Sequence, residues 1–282
     1  MKIGVLVDSF RLPVLEGIKK AAALGVTGIQ LYATSGETAP KNMTAAKVAQ
    51  LKDAVAANGM EISAVCGDLG GHGFMEAEQN LWKIEESKRI MDLTLALGAK
   101  IVTTHIGIVP ENDCAMREVM RKACGALSEY GDAVGAKFAI ETGPEPAQVL
   151  KSFIDELPGS SVRVNFDPAN LVMVLGEDPA EQARILKDYI IHTHAKDGVR
   201  LKKVPATAIY RLPGDMRDNL EGIDAFKEVP LGQGEVHFDS YLNALKEIGY
   251  TGYLTIEREV GDRPEDDIKE AVDFLKSKIF LA

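Results

Sequence analysis

The sequence predicts an α/β fold, a single domain over residues 1–282 in which eight parallel strands close into a (β/α)8 barrel. Short apolar segments alternate with longer amphipathic segments from end to end, and there are eight such pairs. Weak internal repeats agree with this, since GVTGIQLY resembles GYTGYLTI and LGAKIVTTH resembles VGAKFAIET. In each repeat a helix ends at glycine and a strand follows after a tight turn. Barrels of this kind have about 250 residues, which suits a chain of 282.

The elements follow one another in a regular order along the chain. The apolar runs predict strands at residues 2–7, 28–32, 61–66, 100–105, 137–141, 163–167, 189–194 and 253–257. Helical periodicity between them is clearest at residues 45–59, 84–98, 115–135, 238–249 and 264–280. Each strand is therefore followed by a helical segment, as a parallel barrel requires.

One segment, residues 199–234, interrupts this alternation. It follows the seventh strand, shows no clear period and contains Pro205, Pro213 and Pro230. A loop of this length inside a compact domain is usually functional or disordered. The active sites of such barrels lie at the carboxyl ends of the strands, where this segment begins. We predict that it is a long loop covering the substrate, with a short helix at residues 219–227.

Composition narrows the function classes. The formal net charge is −10 and no run of Lys or Arg could follow a phosphate backbone, which disfavours nucleic acid as a partner. No window approaches the roughly 18 apolar residues of a membrane span, and the N-terminal sequence lacks the pattern of a secretion signal. Three cysteines without CxxC spacing favour a reduced, cytoplasmic protein. No GxGxxG or P-loop pattern marks a nucleotide or redox cofactor.

Ionisable residues end several of the predicted strands. Because side chains alternate between the two faces of a strand, these residues lie opposite the apolar side chains that can pack against outer helices. In a closed barrel their side chains converge at the carboxyl-terminal opening. The residues are Glu141, Asp167, His194, Glu257 and, on the fourth strand, His105.

A divalent cation is the simplest partner for such a group. Buried carboxylates without a partner are costly, and a cation can satisfy three of them together with an imidazole. His194 is therefore predicted to be a metal ligand, while His192, one pleat deeper, orients a neighbour or lines the site. A ligand set rich in oxygen favours Mn²⁺ or Mg²⁺, although Co²⁺, Fe²⁺ or Zn²⁺ can occupy it.

Several motifs carry a resemblance to a known family. AIETGPE, NFDPAN, HAKDG and LTIERE end the fifth to eighth strands, and LALGAKIVTTHIG runs through the fourth. Over nearly its whole length the chain resembles the xylose isomerase-like TIM barrels, a superfamily that includes sugar phosphate isomerases and epimerases, inosose dehydratases and endonuclease IV. Within this superfamily it is most similar to the ketose 3-epimerases and related sugar isomerases.

The resemblance implies one bound divalent cation, most consistent with Mn²⁺, and a set of site residues. By this likeness the metal ligands are Glu141, Asp167, His194 and Glu257. Glu141 and Glu257 are also the family's acid/base pair. The likeness further implies a homo-oligomer and a small-molecule sugar substrate, with no nucleic acid or membrane partner.

Further residues are candidates for binding the substrate. Arg200 stands six residues beyond the metal histidine, where the epimerases carry a substrate-binding arginine. Asn170 stands where they have a histidine, which implies a different contact to a substrate hydroxyl. His105 is at a position where the family often has a substrate-contacting histidine. Two readings remain open for Glu145, Lys196 and Asp197: they bind substrate hydroxyls, or they form a salt-bridged rim.

The function expected from the resemblance is a metal-dependent isomerase or epimerase. It would act on a ketose or related polyol ketone by proton abstraction through a cis-enediolate. A lyase of the inosose dehydratase type is the alternative, since its reaction begins with the same proton abstraction. An endonuclease IV-like DNA repair enzyme is disfavoured by the five histidines, by Asn170 and by the net acidity. A barrel that keeps the metal but only binds or regulates is a third possibility.

Overall fold

Eight parallel strands close into a barrel in the computed structural model, which describes residues 1–214 and 224–280. In chain order the strands of these residues are β1 Lys2–Leu6, β2 Gly28–Tyr32, β3 Glu61–Cys66, β4 Ile101–Thr104, β5 Lys137–Glu141, β6 Val162–Phe166, β7 Ile190–Ala195, β8 Asp197–Arg200, β9 Phe226–Val229 and β10 Tyr253–Ile256. The barrel order is β1-β10-β7-β6-β5-β4-β3-β2, while β8 and β9 form a separate pair. The predicted (β/α)8 barrel is confirmed, and each predicted barrel strand agrees within one residue at both ends.

Helices surround the barrel, and local signals explain where several of them begin and end. Thr44 Oγ1 accepts a hydrogen bond from Lys47 N at the start of α2, and Gly135, with a φ of 85°, ends α4 in the left-handed region. Over the described residues the helices are α1 Val14–Ala23, α2 Ala45–Ala57, α3 Ala77–Ala96, α4 Ala115–Val134, α5 Ala147–Asp155, α6 Pro168–Asn170, α7 Pro179–Ile185, α8 Ala206–Tyr210, α9 Phe238–Glu247 and α10 Pro264–Phe280. None of these described helices has the length and apolar composition needed to cross a bilayer.

The two faces of the barrel wall have different chemistry. Side chains such as Phe138, Val164 and Leu254 are buried in the apolar layer between strands and helices. The opposite face carries polar side chains that hydrogen-bond to one another across the barrel interior, for example Gln30 with Thr103 and with His192. The interior of the barrel is thus polar near the carboxyl ends of its strands. This is where the sequence predicts the site.

The segment 199–234 contains regular structure in addition to loop. Strands β8 and β9 pair antiparallel, with Asp197 opposite Val229 and Arg200 opposite Phe226, and the helix α8 lies between them in sequence. The predicted helix at 219–227 is wrong for residues 224–227, since 224–225 are irregular and 226–227 belong to β9. Residues 219–223 lie outside the described part of the chain. The pattern FKEV concealed a strand because its buried member is the charged Glu228.

Candidate metal centre

Four side chains that the sequence predicted as metal ligands meet at the carboxyl end of the barrel. Glu141 is the last residue of β5, His194 lies in β7, and Asp167 and Glu257 directly follow β6 and β10. All four are buried, with at most 7% of any residue exposed. One ligand atom of each lies within 4.8 Å of the ligand atoms of the other three. Neighbouring parallel strands therefore bring together residues that are far apart in sequence.

Two atoms of this group have no hydrogen-bond partner among the described residues. Asp167 Oδ2 and His194 Nδ1 are both buried and unpartnered, while Asp167 Oδ1 accepts hydrogen bonds from Ala169 N and Asn170 N. His194 Nδ1 lies 3.1 Å from Glu257 Oε2 and 3.7 Å from Asp167 Oδ2. An unsatisfied carboxylate oxygen beside an unsatisfied imidazole nitrogen is costly without a cation. The donor set therefore fits a divalent metal ion.

Hydrogen bonds hold the two glutamates in place. Asn165 Nδ2 donates to Glu141 Oε2 and Asn170 Nδ2 donates to Glu141 Oε1, both at 3.1 Å. Lys196 Nζ donates to Glu257 Oε2, also at 3.1 Å, and pairs with Glu259. Each glutamate is thus fixed by a neighbour on its own side of the cavity.

Mutual attraction keeps this group charged despite its burial. Burial alone would raise the pKa of Glu141, but His105 and His194 outweigh it and leave that pKa below its ordinary value. Burial would also raise the pKa of Glu257, but His194 and Lys196 outweigh it and hold that pKa below its ordinary value. Burial would likewise lower the pKa of Lys196, but Glu257 and its other acidic neighbours raise it well above the usual range.

The two histidines of β7 have opposite environments. Burial would lower the pKa of His194, but Glu257 and Glu141 raise it above its ordinary value. His192 is one pleat deeper, where burial and the neighbouring His194 lower its pKa to about 3. It is therefore a neutral side chain, and its Nε2 lies 2.9 Å from Gln30 Oε1 and 3.1 Å from Thr255 Oγ1. One histidine faces the carboxylates, and the other belongs to the polar network beneath them.

A cavity of about 530 Å³ is lined by two of the four candidate ligands, Glu141 and Glu257. Its inner part is polar and includes His105, Glu141, Asn170, Lys196 and Glu257. Its apolar and aromatic lining residues include Met173, Ile209, Tyr210, Phe226 and Val260. Tyr210 also packs against His105, with ring centroids 6.1 Å apart. The segment after β7 therefore supplies much of the apolar wall, as a covering segment would.

The predicted substrate-binding residues divide into two groups. His105, Asn170 and Lys196 line the cavity, and His105 Nε2 lies 3.5 Å from Glu141 Oε1. Of the described lining residues, none is Glu145, Asp197 or Arg200. The structure therefore brings together half of the candidates and places the other half in the surrounding segments.

The three residues outside the cavity have contacts of their own. Arg200 Nη1 donates to Leu175 O at 2.6 Å, and Glu145 Oε2 accepts a hydrogen bond from Val109 N at 3.2 Å. Asp197 accepts hydrogen bonds from the backbone N–H groups of residues 198, 232, 234 and 236. The carboxylate of Asp197 organises the turn between β9 and α9. Lys196 pairs with Glu257 and Glu259, as expected if it belongs to a salt-bridged rim.

Four contributors to the site were missed by sequence reasoning. Gln30 and Asn165 belong to the polar network next to the candidate ligands, and both are fully buried. Gln30 is the one polar side chain of the segment IQL within β2, and Asn165 lies between Val164 and Phe166. That interruption is a signal the sequence offers. Tyr210 and Glu228 line the cavity from the segment after β7, where no periodicity indicated which side chains point inward.

Solved structures share this architecture. A xylose isomerase domain protein from Planctomyces limnophilus superposes with a TM-score of 0.80 at 26% sequence identity, covering 98% of this chain and 96% of that one. A D-tagatose 3-epimerase-like protein gives 0.76 at 18% identity, covering 100% and 98%. The probable 3-DHS dehydratase AsbF from Bacillus anthracis gives 0.75 at 17%, covering 98% and 99%. At these lower identities the last two show a common fold.

Sequence comparison gives one relative and one matching family model. The Methanocaldococcus jannaschii protein MJ1311 is 23% identical over 200 residues, which are 65% of this chain and 60% of that relative. The chain thus matches less than two thirds of that relative's length. The family model described as xylose isomerase-like TIM barrel matches residues 18–278. With the closed barrel and its strand-end residues, this match shows that the chain belongs to the family of xylose isomerase-like TIM barrels.

Proposed function

We propose that the chain is a divalent-metal-dependent isomerase or epimerase of a ketose or a related polyol ketone. The observation that carries the proposal is the buried cluster of Glu141, Asp167, His194 and Glu257, with its two unpartnered ligand atoms. Two of its members, Glu141 and Glu257, line the cavity. The structural likeness to a D-tagatose 3-epimerase-like protein supports it at the level of the fold. These four residues would hold the ion, for which the oxygen-rich donor set favours Mn²⁺.

The chemistry divides between the ion and the protein. When bound, a divalent cation supplies Lewis-acid polarisation of a carbonyl and offsets negative charge that develops on its oxygen. Glu141 and Glu257 approach the cavity floor from different strands. A carboxylate oxygen of one removes the proton on the carbon next to the carbonyl. The other glutamate, which must carry a proton at that stage, gives it to the opposite face of the cis-enediolate, which inverts the centre and leaves that glutamate ionised.

Neighbouring side chains would orient the substrate and keep water out. Lys196 Nζ is held between Glu257 and Glu259 and lines the cavity, so it can donate to a substrate oxygen near Glu257. His105 is placed to do the same near Glu141. Asn170 donates its two amide hydrogens to Glu141 Oε1 and Thr142 O, so its Oδ1 would accept from a substrate hydroxyl. Tyr210 and Phe226 close the outer side with aromatic surface. Excluding water strengthens every charge interaction at the floor and protects the enediolate.

Hydrogen exchange tests the proposal directly. Metal-free protein is reconstituted with Mn²⁺ in D₂O and incubated with free ketoses, ketose phosphates and inososes while proton NMR follows the carbon next to the carbonyl. We expect deuterium incorporation together with a new epimer or aldose. Removal of the metal with EDTA should stop it. If the metal-loaded protein exchanges no proton with any compound, the proposal is wrong, and exchange with loss of water would assign lyase chemistry.

Glutamine variants separate the two roles of the glutamates. Glu141→Gln and Glu257→Gln should each lower the exchange rate by about 10²–10⁴-fold, the usual contribution of a general acid or base. Metal content is measured in the same samples, so that loss of the ion is distinguished from loss of proton transfer. Glu85→Gln, on the exposed surface of α3, is the matched control. Full exchange by either site variant would refute the assignment of that glutamate.

A further inference from the structure

Gln30 is a fully buried residue whose side chain spans the barrel interior beneath the metal ligands. It lies in β2, where the register with β3 shifts between Ile29 and Gln30. Such irregularities re-aim side chains beside functional sites. Gln30 Oε1 lies 3.2 Å from His194 Nε2, on a strand that is not a neighbour of β2. A residue on the far side of the barrel therefore contacts a predicted metal ligand.

The two nitrogens of His194 face different partners. Nδ1 points towards the carboxylates and is unpartnered, while Nε2 faces Gln30. A neutral imidazole binds a metal only through the nitrogen that carries no proton, so binding through Nδ1 requires the proton on Nε2. That proton needs an acceptor, because an unpartnered buried N–H is costly. The amide oxygen of Gln30 is placed to accept it.

Surrounding contacts favour this orientation of Gln30. Its Nε2 donates to Thr103 Oγ1 at 3.0 Å, which turns its oxygen towards the two histidines. The same oxygen lies 2.9 Å from His192 Nε2, and that neutral histidine also has a proton to donate. Asn165 Nδ2 lies 3.2 Å from His194 Nε2 as well, but an amide NH₂ group only donates and cannot accept the imidazole proton. Gln30 is thus the acceptor among these neighbours.

We propose that Gln30 is a positioning residue for the metal centre: by accepting the Nε2–H of His194 it fixes the tautomer that leaves Nδ1 free to bind the ion. The inference rests on the metal centre of the proposed function but not on the reaction catalysed there. Partners of this kind fix ring orientation and raise ligand basicity, and their loss typically weakens metal binding by about 10–100-fold.

Metal affinity without substrate is the test. The Kd of metal-free protein for Mn²⁺ is measured by titration, using electron paramagnetic resonance of the free ion. Gln30→Met keeps the length and apolar bulk of the side chain but removes the acceptor, so we expect a Kd about 10–100-fold weaker. Gln30→Glu restores an acceptor oxygen and should bind at least as tightly as the parent protein. Thr193→Val is the matched control, since it removes a buried hydrogen bond to Tyr253 O from the strand that carries His194.

The outcomes separate the inference from the function on which it rests. If the unmodified protein binds no Mn²⁺, the metal centre itself is wrong. If the protein binds Mn²⁺ and Gln30→Met binds it equally well, or if Thr193→Val loses as much affinity, only the role of Gln30 is overturned. Nitrogen-15 NMR of the zinc-loaded, unmodified protein gives a second answer should Gln30→Met fail to fold. A proton on His194 Nε2 and zinc on Nδ1 are expected, and the reverse would contradict the inference.

Discussion

Two parts of the seventh βα unit show how differently a strand and the segment after it position their residues. In β7 and directly beyond it, His192, His194 and Lys196 alternate with apolar or small residues and all point into the barrel. Arg200, four residues later, would point to the same side if the alternation continued. It lies instead in the antiparallel pair of β8 and β9, and its guanidinium donates a hydrogen bond to Leu175 O. The alternation continues only as far as the backbone stays within the barrel wall. Strand periodicity therefore predicts side-chain direction up to Lys196 and fails beyond it.

The same division holds across the candidate site. The four candidate metal ligands lie in the strands or directly after them, and all four converge. Of the predicted substrate contacts farther along the chain, Glu145 and Arg200 bond to the backbone of other segments. The geometry of a connecting segment depends on its own turns and caps. The direction of a side chain there therefore cannot be predicted by counting alternate residues from the preceding strand. Arg200, predicted from the spacing found in the family, is likewise not among the described residues that line the cavity.

Replacing the two cations after His194 gives the largest expected contrast. Lys196→Met should lower kcat/KM by about 10²–10³-fold, because it removes a buried donor beside Glu257 where charge develops. Arg200→Met should leave kcat/KM close to that of the parent protein. Steady-state kinetics on the substrate found by hydrogen exchange measures both. A large loss in Arg200→Met with little loss in Lys196→Met would reverse the comparison.

Asp197 should matter for stability and not for metal binding. Asp197→Ala leaves the N–H groups of residues 198, 232, 234 and 236 without their acceptor. We expect the free energy of unfolding to fall by about 1–3 kcal/mol, measured by urea denaturation, with an unchanged Kd for Mn²⁺. Asp197→Asn retains one acceptor oxygen, so its free energy of unfolding should lie between those of the parent protein and Asp197→Ala. If stability were unchanged and KM were raised, Asp197 would be a substrate-binding residue and this prediction would be wrong.

Much of this molecule was predictable because it repeats a physical rule. The eight strands and the meeting of ionisable residues at one end follow from alternating faces and from the convergence of parallel strands in a barrel. The choice of four of these residues as candidate metal ligands came from the family resemblance. The hairpin was not predictable in the same way. The buried residue of β9 is Glu228, which pairs with Arg258 and Lys196. The strand therefore lacks the buried apolar residue by which a strand is recognised in a sequence. Gln30 could have been found as a polar interruption of an apolar strand, but its partners lie on strands distant in sequence.

Glu145 gives the smallest expected effect and tests whether a buried carboxyl outside the cavity is part of the packing. Burial raises its pKa from the ordinary 4.5 to about 8, against the opposing effects of the Val109 N–H and His105. Between those two values the unfolded chain loses the proton while the folded chain keeps it. The folded state then binds more protons, so stability falls as pH rises through this window, by at most about 1.4 kcal/mol per unit.

Glu145→Gln has no proton to lose, so its stability should fall less than that of the parent protein between pH 5 and pH 8. Urea denaturation of both proteins at four pH values measures the difference, in which the other titrating groups cancel. Parallel curves would mean that Glu145 is already ionised in the folded protein, which requires a cationic partner, and His105 at the cavity is the nearby candidate. Glu145 would then act with the residues that face the substrate. A steeper fall for the parent protein than for Glu145→Gln keeps Glu145 with the segments that support the barrel, alongside Asp197 and Arg200.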